Sequence, residues 1–328
     1  RQRTASGEVY TGSILEHLLI QHLTAFYEVG EHNIFRLRGA DWNDALDMAP
    51  ERGESVAFTC AYAGNLKDLA GLLRRLAETW KNVELAEELE ELLWTSPMAY
   101  DDLPEKKAVL ERYTRRCAHN VSGGTIRVLP MELAENLEGK ADWLMEHIRR
   151  QEWIDAGEDG GWFNSYYDDH QRPLEGVTGD GVRMMLTGQV FAIMSGTATD
   201  EQVRAITQSA DRFLYRREAG GYRLNTDFHE LKSDMGRMFG FAYGEKENGA
   251  VFSHMTVMYA NALYRRGFVL EGYKALQTLA DAALDFQTSR IYPGIPEYFN
   301  ADGRGMYHYL TGAASWYMLT VITEAFGV

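Results

Sequence analysis

The residues best suited to chemistry lie at Gly39-Ala40-Asp41-Trp42-Asn43-Asp44, followed by Glu51-Arg52-Gly53-Glu54-Ser55. Two carboxylates and an indole fall within four residues, in a Gly-bounded turn ahead of a long apolar segment. A carboxyl group held against an indole gains the raised pKa that lets it protonate a leaving group at neutral pH. An aromatic face beside acids also suits a sugar ring. The competing reading, equally economical, is that Asp44 and Trp42 cap and staple the next helix. A second cluster is Gly244-Glu245-Lys246-Glu247-Asn248-Gly249, running into Phe252-Ser253-His254. Lys, Glu and Asn can all bond sugar hydroxyls, and His254 falls in the first turn of a predicted helix, where free N–H groups favour anions. Its plainer reading is a solvated, charged loop. A third comprises Pro296-Glu297-Tyr298 and Leu310-Thr311-Gly312-Ala313-Ala314-Ser315-Trp316, where Thr311 and Gly312 open the last helix. They could face an oxyanion there, or serve only as an N-cap and a close-packing glycine.

Helices must position these groups. Apolar periodicity predicts them near Ile14–Leu23 and over 54–80, 83–94, 103–116, 132–151, 183–194, 200–215, 252–266, 270–286 and 310–326. Thr199-Asp200-Glu201 reads as a helix start. One β signal stands at 124–129, alternating through Ile126 and Val128. Long aromatic-rich loops at 157–181, 220–249 and 291–305 are the length of functional loops. The expected fold is all-α; the pattern suits paired antiparallel helices in a toroid with a ring of loops building a cleft, and the period alone fits any large helical protein.

Composition narrows the partners. The chain has 328 residues and a net charge of -15, which argues against a nucleic-acid partner. No run approaches the ~18 apolar residues of a membrane span. Cys60 and Cys117 form no metal or redox spacing and read as reduced thiols, hence a cytoplasmic location. His32, His170, His229 and His308 are scattered, so no metal is expected, and Asp168-Asp169-His170 reads as a solvated loop. The chain opens Arg1-Gln2-Arg3-Thr4 and stops at Phe326-Gly327-Val328, at the end of an apolar segment, and reads as a piece of a longer polypeptide.

In their order, the strings Asp41-Trp42-Asn43-Asp44, Gly53-Glu54-Ser55, Lys246-Glu247-Asn248-Gly249, Phe252-Ser253-His254, Pro296-Glu297-Tyr298 and Leu310-Thr311-Gly312-Ala313-Ala314-Ser315-Trp316 resemble the inverting disaccharide phosphorylases of glycoside hydrolase family 94. The resemblance runs from about residue 9 to the end. Leu18–Leu23, Asp47–Ser55, 187–196 and Gly303-Arg304-Gly305-Met306-Tyr307 look closest to the 1,2-β-oligoglucan phosphorylase branch, and next to the phosphorylase-like region of cyclic β-1,2-glucan synthases. It implies an (α/α)6 barrel, of which residues 1–328 would be an incomplete C-terminal portion, without the N-terminal β-sandwich and early barrel helices. It implies Asp44 as general acid and Trp42, Lys246, Glu247 and Glu297 as sugar contacts. His254, Thr311 and Gly312 would hold phosphate, a co-substrate, with no cofactor. The family's phosphate arginine would lie upstream of residue 1. The expected partners are a β-glucan oligosaccharide, phosphate, a second copy in a homodimer and the missing part of the same polypeptide. A fragment that binds sugar without catalysis stays open beside the enzyme.

Overall fold

The computed structural model describes residues 2–38, 44–292, 294–307 and 311–328. The chain forms two compact units, one from residues 1–36 and 62–147, the other from 37–61 and 148–328. Helix predominates in both, as the periodicity predicts.

In the first unit, helix Ile14–Tyr27 starts at a capping box in which Ser13 and Glu16 satisfy each other's backbone N–H. Glu16 is buried, and its other oxygen accepts from the Tyr10 hydroxyl (2.6 Å) and from the backbone N–H of Ala86 (2.7 Å). One carboxylate thus ties the helix start to a strand. That strand, Val83–Ala86, pairs antiparallel with Thr125–Val128, with Val83 opposite Val128. The β signal at 124–129 is correct, but its partner lies where periodicity predicts helix 83–94. That stretch divides into strand Val83–Ala86, a 3-10 turn Glu87–Leu89 and the short helix Glu90–Leu93. The cross-strand ladder to Thr125–Val128 outweighs the helix propensity of its Glu and Leu residues. Leu19, Leu23, Phe26, Leu66, Leu73, Leu133, Leu137 and Leu144 fill the core. Lys106 and Lys140 are buried in it, with their ammonium groups 4.2 and 5.7 Å from the Phe26 ring centre.

In the second unit, helix Ser253–Arg265 packs against Leu186–Met194, Val269–Leu284 and Gly312–Thr320. It is buried on nearly every face, from Met255 to Leu263, with Thr256 and Asn261 among the buried residues. Thr199 and Gln202 form the capping box of Asp200–Ser209, as the sequence predicts. The last two turns of 200–215 and of the final helix are wider than α, at Ala210–Leu214 and Val321–Ala325. The long loops carry short strands. Glu54–Ser55 pairs with Tyr166–Tyr167, and Val251–Phe252, Tyr298–Phe299 and Gly305–Met306 form a three-stranded antiparallel sheet. The chain is thus mainly helical, as expected, with pairs and one triplet of short strands bracing the loops between helices.

The loop at 168–170 is also corrected. Asp168 is 1% exposed, and its carboxylate accepts from Arg172 and from the buried Lys232. Burial pushes its pKa up, but these hydrogen bonds and charges leave it below the usual carboxylate range. Only the His170 side chain is well exposed, near Asp234.

Candidate active site

Two segments distant in sequence are laced together around Asp44. Asp44 sits at φ +57°, in the left-handed region, so it does not act as the cap of a following helix. Its carbonyl accepts the N–H of Met238 (3.2 Å), and the N–H of Met48 reaches Met235 (3.1 Å). A Cβ on Gly236 would stand 2.3 Å from the Asp44 carbonyl oxygen and 2.4 Å from the carbonyl carbon of Ala45. The glycine is what lets the two backbones touch. Over this contact the Arg237 guanidinium donates to the Asp44 carboxylate (2.6 Å), while Asp47 accepts the Arg237 N–H (2.9 Å) and faces its Nε (3.3 Å). Hydrogen bonding to Asp44, and the charges of Asp44, Asp47 and Glu247, raise the Arg237 pKa, so all four groups share one neighbourhood.

The 244–249 loop is ordered rather than merely solvated. The Gly244 N–H reaches the Asn248 carbonyl (2.7 Å), and Asn248 itself bonds Phe241 and Asn225. Lys246, at φ +49°, holds its ammonium 4.6 Å from the Phe241 ring centre and 5.4 Å from that of Tyr307. Glu247 accepts the Tyr298 hydroxyl at 2.6 Å. Its second oxygen is buried and makes no hydrogen bond among the described residues. Tyr298 stacks on Phe252 with ring centres 4.8 Å apart. Burial first, then the bond to Glu247 and the charges of Glu247, Glu297 and Asp44, push its phenol well up. Glu297 is fixed through its backbone, its carbonyl accepting from Ser253 (2.9 Å) and its N–H donating to Tyr307 (3.1 Å). Burial and the Glu247 charge raise its carboxyl pKa.

His254 follows that Ser253 anchor on the first turn of its helix. Burial lowers its pKa, which favours the neutral imidazole. The ring lies on the backbone of Gly312: a Cβ there would come 2.4 Å from Cε1 and 2.7 Å from Nδ1. Thr311 caps the helix Gly312–Thr320, its hydroxyl accepting the Ala313 N–H at 3.3 Å. Capping and close packing are thus both real, and they set the His254 ring on Gly312 next to the Thr311 cap. Trp42 lies outside the described residues. A cavity of about 380 Å³ in the same unit, lined by Arg216, Arg223, Asp227, His229 and Tyr243 among others, includes none of the sequence-predicted site residues. We therefore place the site on the side-chain cluster rather than on that cavity.

Sequence reasoning missed Arg237 and Gly236, which belong to no motif, and left Tyr298 without a role. The 193 residues between Asp44 and Arg237 carry no spacing signal.

Residues 131–327 match the family described as "Glycosyl hydrolase 94 superfamily, catalytic domain", and the chain belongs to that superfamily. It is 24% identical over 245 residues to a solabiose phosphorylase from Paenibacillus borealis, covering 74% of this chain and 24% of that protein. Over its whole length it is 23% identical to a 3-O-beta-D-glucopyranosyl-beta-D-glucuronide phosphorylase of the same organism, spanning 36% of that protein. A cellobionic acid phosphorylase from Neurospora crassa is 24% identical over 52% of this chain and 23% of its own length. The chain thus spans between about a quarter and about a third of these relatives. Among solved structures, an uncharacterized conserved protein from Thermus thermophilus overlaps 78% of this chain and 52% of its own, at 14% identity and a TM-score of 0.37.

Proposed function

We propose that this chain is the C-terminal portion of an (α/α)6-barrel catalytic domain that phosphorolyses β-linked glucosides with inversion, and that its substrates are β-1,2-linked gluco-oligosaccharides. The observation that carries the reading is the Arg237-paired carboxylate of Asp44, with Glu247 bonded to Tyr298 and a half-buried His254 seated on Gly312, in a member of this superfamily. The three curated relatives are all named as phosphorylases, of solabiose, of a 3-O-beta-D-glucopyranosyl-beta-D-glucuronide and of cellobionic acid. The linkage preference rests on the segments at 47–55, 187–196 and 303–307.

An inverting hydrolase needs an acid and a base that activates water. A phosphorolytic enzyme needs only the acid, since phosphate is already an anionic nucleophile. Asp44 protonates the departing glycosidic oxygen while phosphate attacks the anomeric carbon from the opposite face. The product of a β-linkage is then α-glucose 1-phosphate. Phosphate needs donors, and neutral His254, the Thr311 hydroxyl and the Gly312 N–H at a helix N-terminus supply them. Trp42 supplies an aromatic face to the sugar, and Lys246 bonds its hydroxyls. The buried second oxygen of Glu247 is an acceptor in wait of a hydroxyl donor. Glu297, with its raised pKa, sits where a carboxyl near phosphate is tolerable because its acid form carries no charge. No cofactor enters this scheme. The reduced thiols and the resemblance support a cytoplasmic homodimer.

The test is product analysis with the full-length protein and sophorose or longer β-1,2-glucans. We expect α-glucose 1-phosphate only when phosphate is present. Free glucose released at the same rate without phosphate would mean hydrolysis and would overturn the reading.

A further inference from the structure

We propose that Arg237 is the positioning residue for the general acid, fixing which oxygen of Asp44 carries the transferable proton. The inference rests on the reading of Asp44 as that acid. Arg237 can only donate hydrogen bonds, and it remains charged at any working pH. Its Nη2 occupies Asp44 Oδ1 at 2.6 Å. A proton on Oδ1 would oppose the guanidinium hydrogen, so in the acid form the proton resides on Oδ2. Oδ2 is therefore the oxygen that donates to the glycosidic oxygen as the C1–O bond breaks and the phosphate O–C1 bond forms. Asp44 ends as a carboxylate with Arg237 still on Oδ1. In the reverse reaction Oδ2 takes the proton of the acceptor hydroxyl as that oxygen attacks C1 and phosphate departs.

Several features make this a built arrangement rather than a chance surface pair. Arg237 is held through its own backbone, its N–H on Asp47 and its neighbour Met238 on the Asp44 carbonyl. Asp47 also faces Nε, so the guanidinium is clamped from two sides. Gly236 permits the contact beneath it. Asp44 is tied at two points, its carbonyl by the Met238 N–H and its carboxylate by Arg237. The Arg237 side chain is 64% exposed, so its replacement should leave the fold standing.

A positioning role predicts a particular kinetic signature. Acid assistance matters for a sugar leaving group and little for a nitrophenolate, which departs unprotonated. In the full-length protein we expect Arg237→Gln to lower kcat on sophorose by about 10- to 100-fold, the scale of a misplaced catalytic group. The KM for phosphate should stay within about twofold, and turnover of 2,4-dinitrophenyl β-glucoside should stay near wild type, since neither draws on the positioned proton. The double variant Asp44→Asn/Arg237→Gln should be no worse on sophorose than Asp44→Asn alone, because Arg237 works through Asp44. Arg237→Lys, a single-point donor, should recover part of the loss. Equal losses on both substrates, a raised KM for phosphate with kcat unchanged, or additive losses in the double variant would each overturn the proposal. Asp44→Asn with wild-type turnover of sophorose would instead remove the acid reading on which it rests.

Discussion

At the scale of single residues, the site is built from groups whose neighbours are as informative as their types. Gly312 is the clearest case, because any side chain there enters the His254 ring. We expect Gly312→Ala to displace the imidazole, raise the KM for phosphate by about 10-fold or more and cost about 1–3 kcal/mol of stability, the scale of an overpacked site. Phosphate-dependent kinetics with a thermal melt checks both. Asp44, His254, Thr311 and Gly312 stand out in the sequence because their types suit acid catalysis or anion binding. The same sequence offered two readings for Thr311 and Gly312, and the structure shows the capping and packing ones, with the His254 ring lying on Gly312. Arg237 was not legible, since an arginine outside any motif has no chemistry until folding brings it 2.6 Å from a carboxylate 193 residues away.

At the scale of elements, helices with a clean apolar stripe were readable to within a few residues, as with 132–151 against Pro130–Gln151. The strand Val83–Ala86 was not, because four residues hold too few periods to separate helix from strand, and its pairing partner lies about forty positions on. Gly236 joins two such short segments. Gly236→Ala puts a methyl carbon 2.3 Å from the Asp44 carbonyl oxygen, against backbone that cannot rotate aside. We expect a loss of about 2 kcal/mol or more, read as a lower midpoint in urea unfolding, with turnover reduced beyond what stability explains. The buried lysines of the first unit make a separate prediction. Burial lowers the pKa of Lys106 and Lys140 to about 7, from 10.5 in an exposed lysine. Between those values the unfolded chain binds more protons than the folded one, so the pair's contribution to stability rises with pH from 7 towards 10.5 and has reached its floor below 7. Amide exchange of the helix Ile14–Tyr27 should slow between pH 7 and pH 9 once corrected for intrinsic rates. Lys106→Met should flatten that dependence.

At the scale of the whole molecule, the clustered site lies within the second unit, from residues 37–61 and 148–328. The two stretches of that unit are separated by the 86 residues of 62–147, so Asp44 and the group of His254, Thr311 and Gly312 read as separate motifs. The chain spans between about a quarter and about a third of its curated relatives. In our reading the remaining barrel supplies further phosphate and sugar contacts, so the full-length protein should turn over and the 328-residue chain alone should not, at equal concentration and with sugar binding retained. The general fold class was legible because family motifs and helix periodicity agree. The bracing strands were not, because they are held by long-range pairing.

The central claim is that one acid, Asp44, drives phosphorolysis. The most direct measurement compares wild type with Asp44→Asn in the full-length protein, following α-glucose 1-phosphate formation from sophorose in phosphate by 31P NMR. The account predicts a folded variant whose rate has fallen by about 10²- to 10⁴-fold. A folded Asp44→Asn protein forming the same product at near the wild-type rate would contradict it.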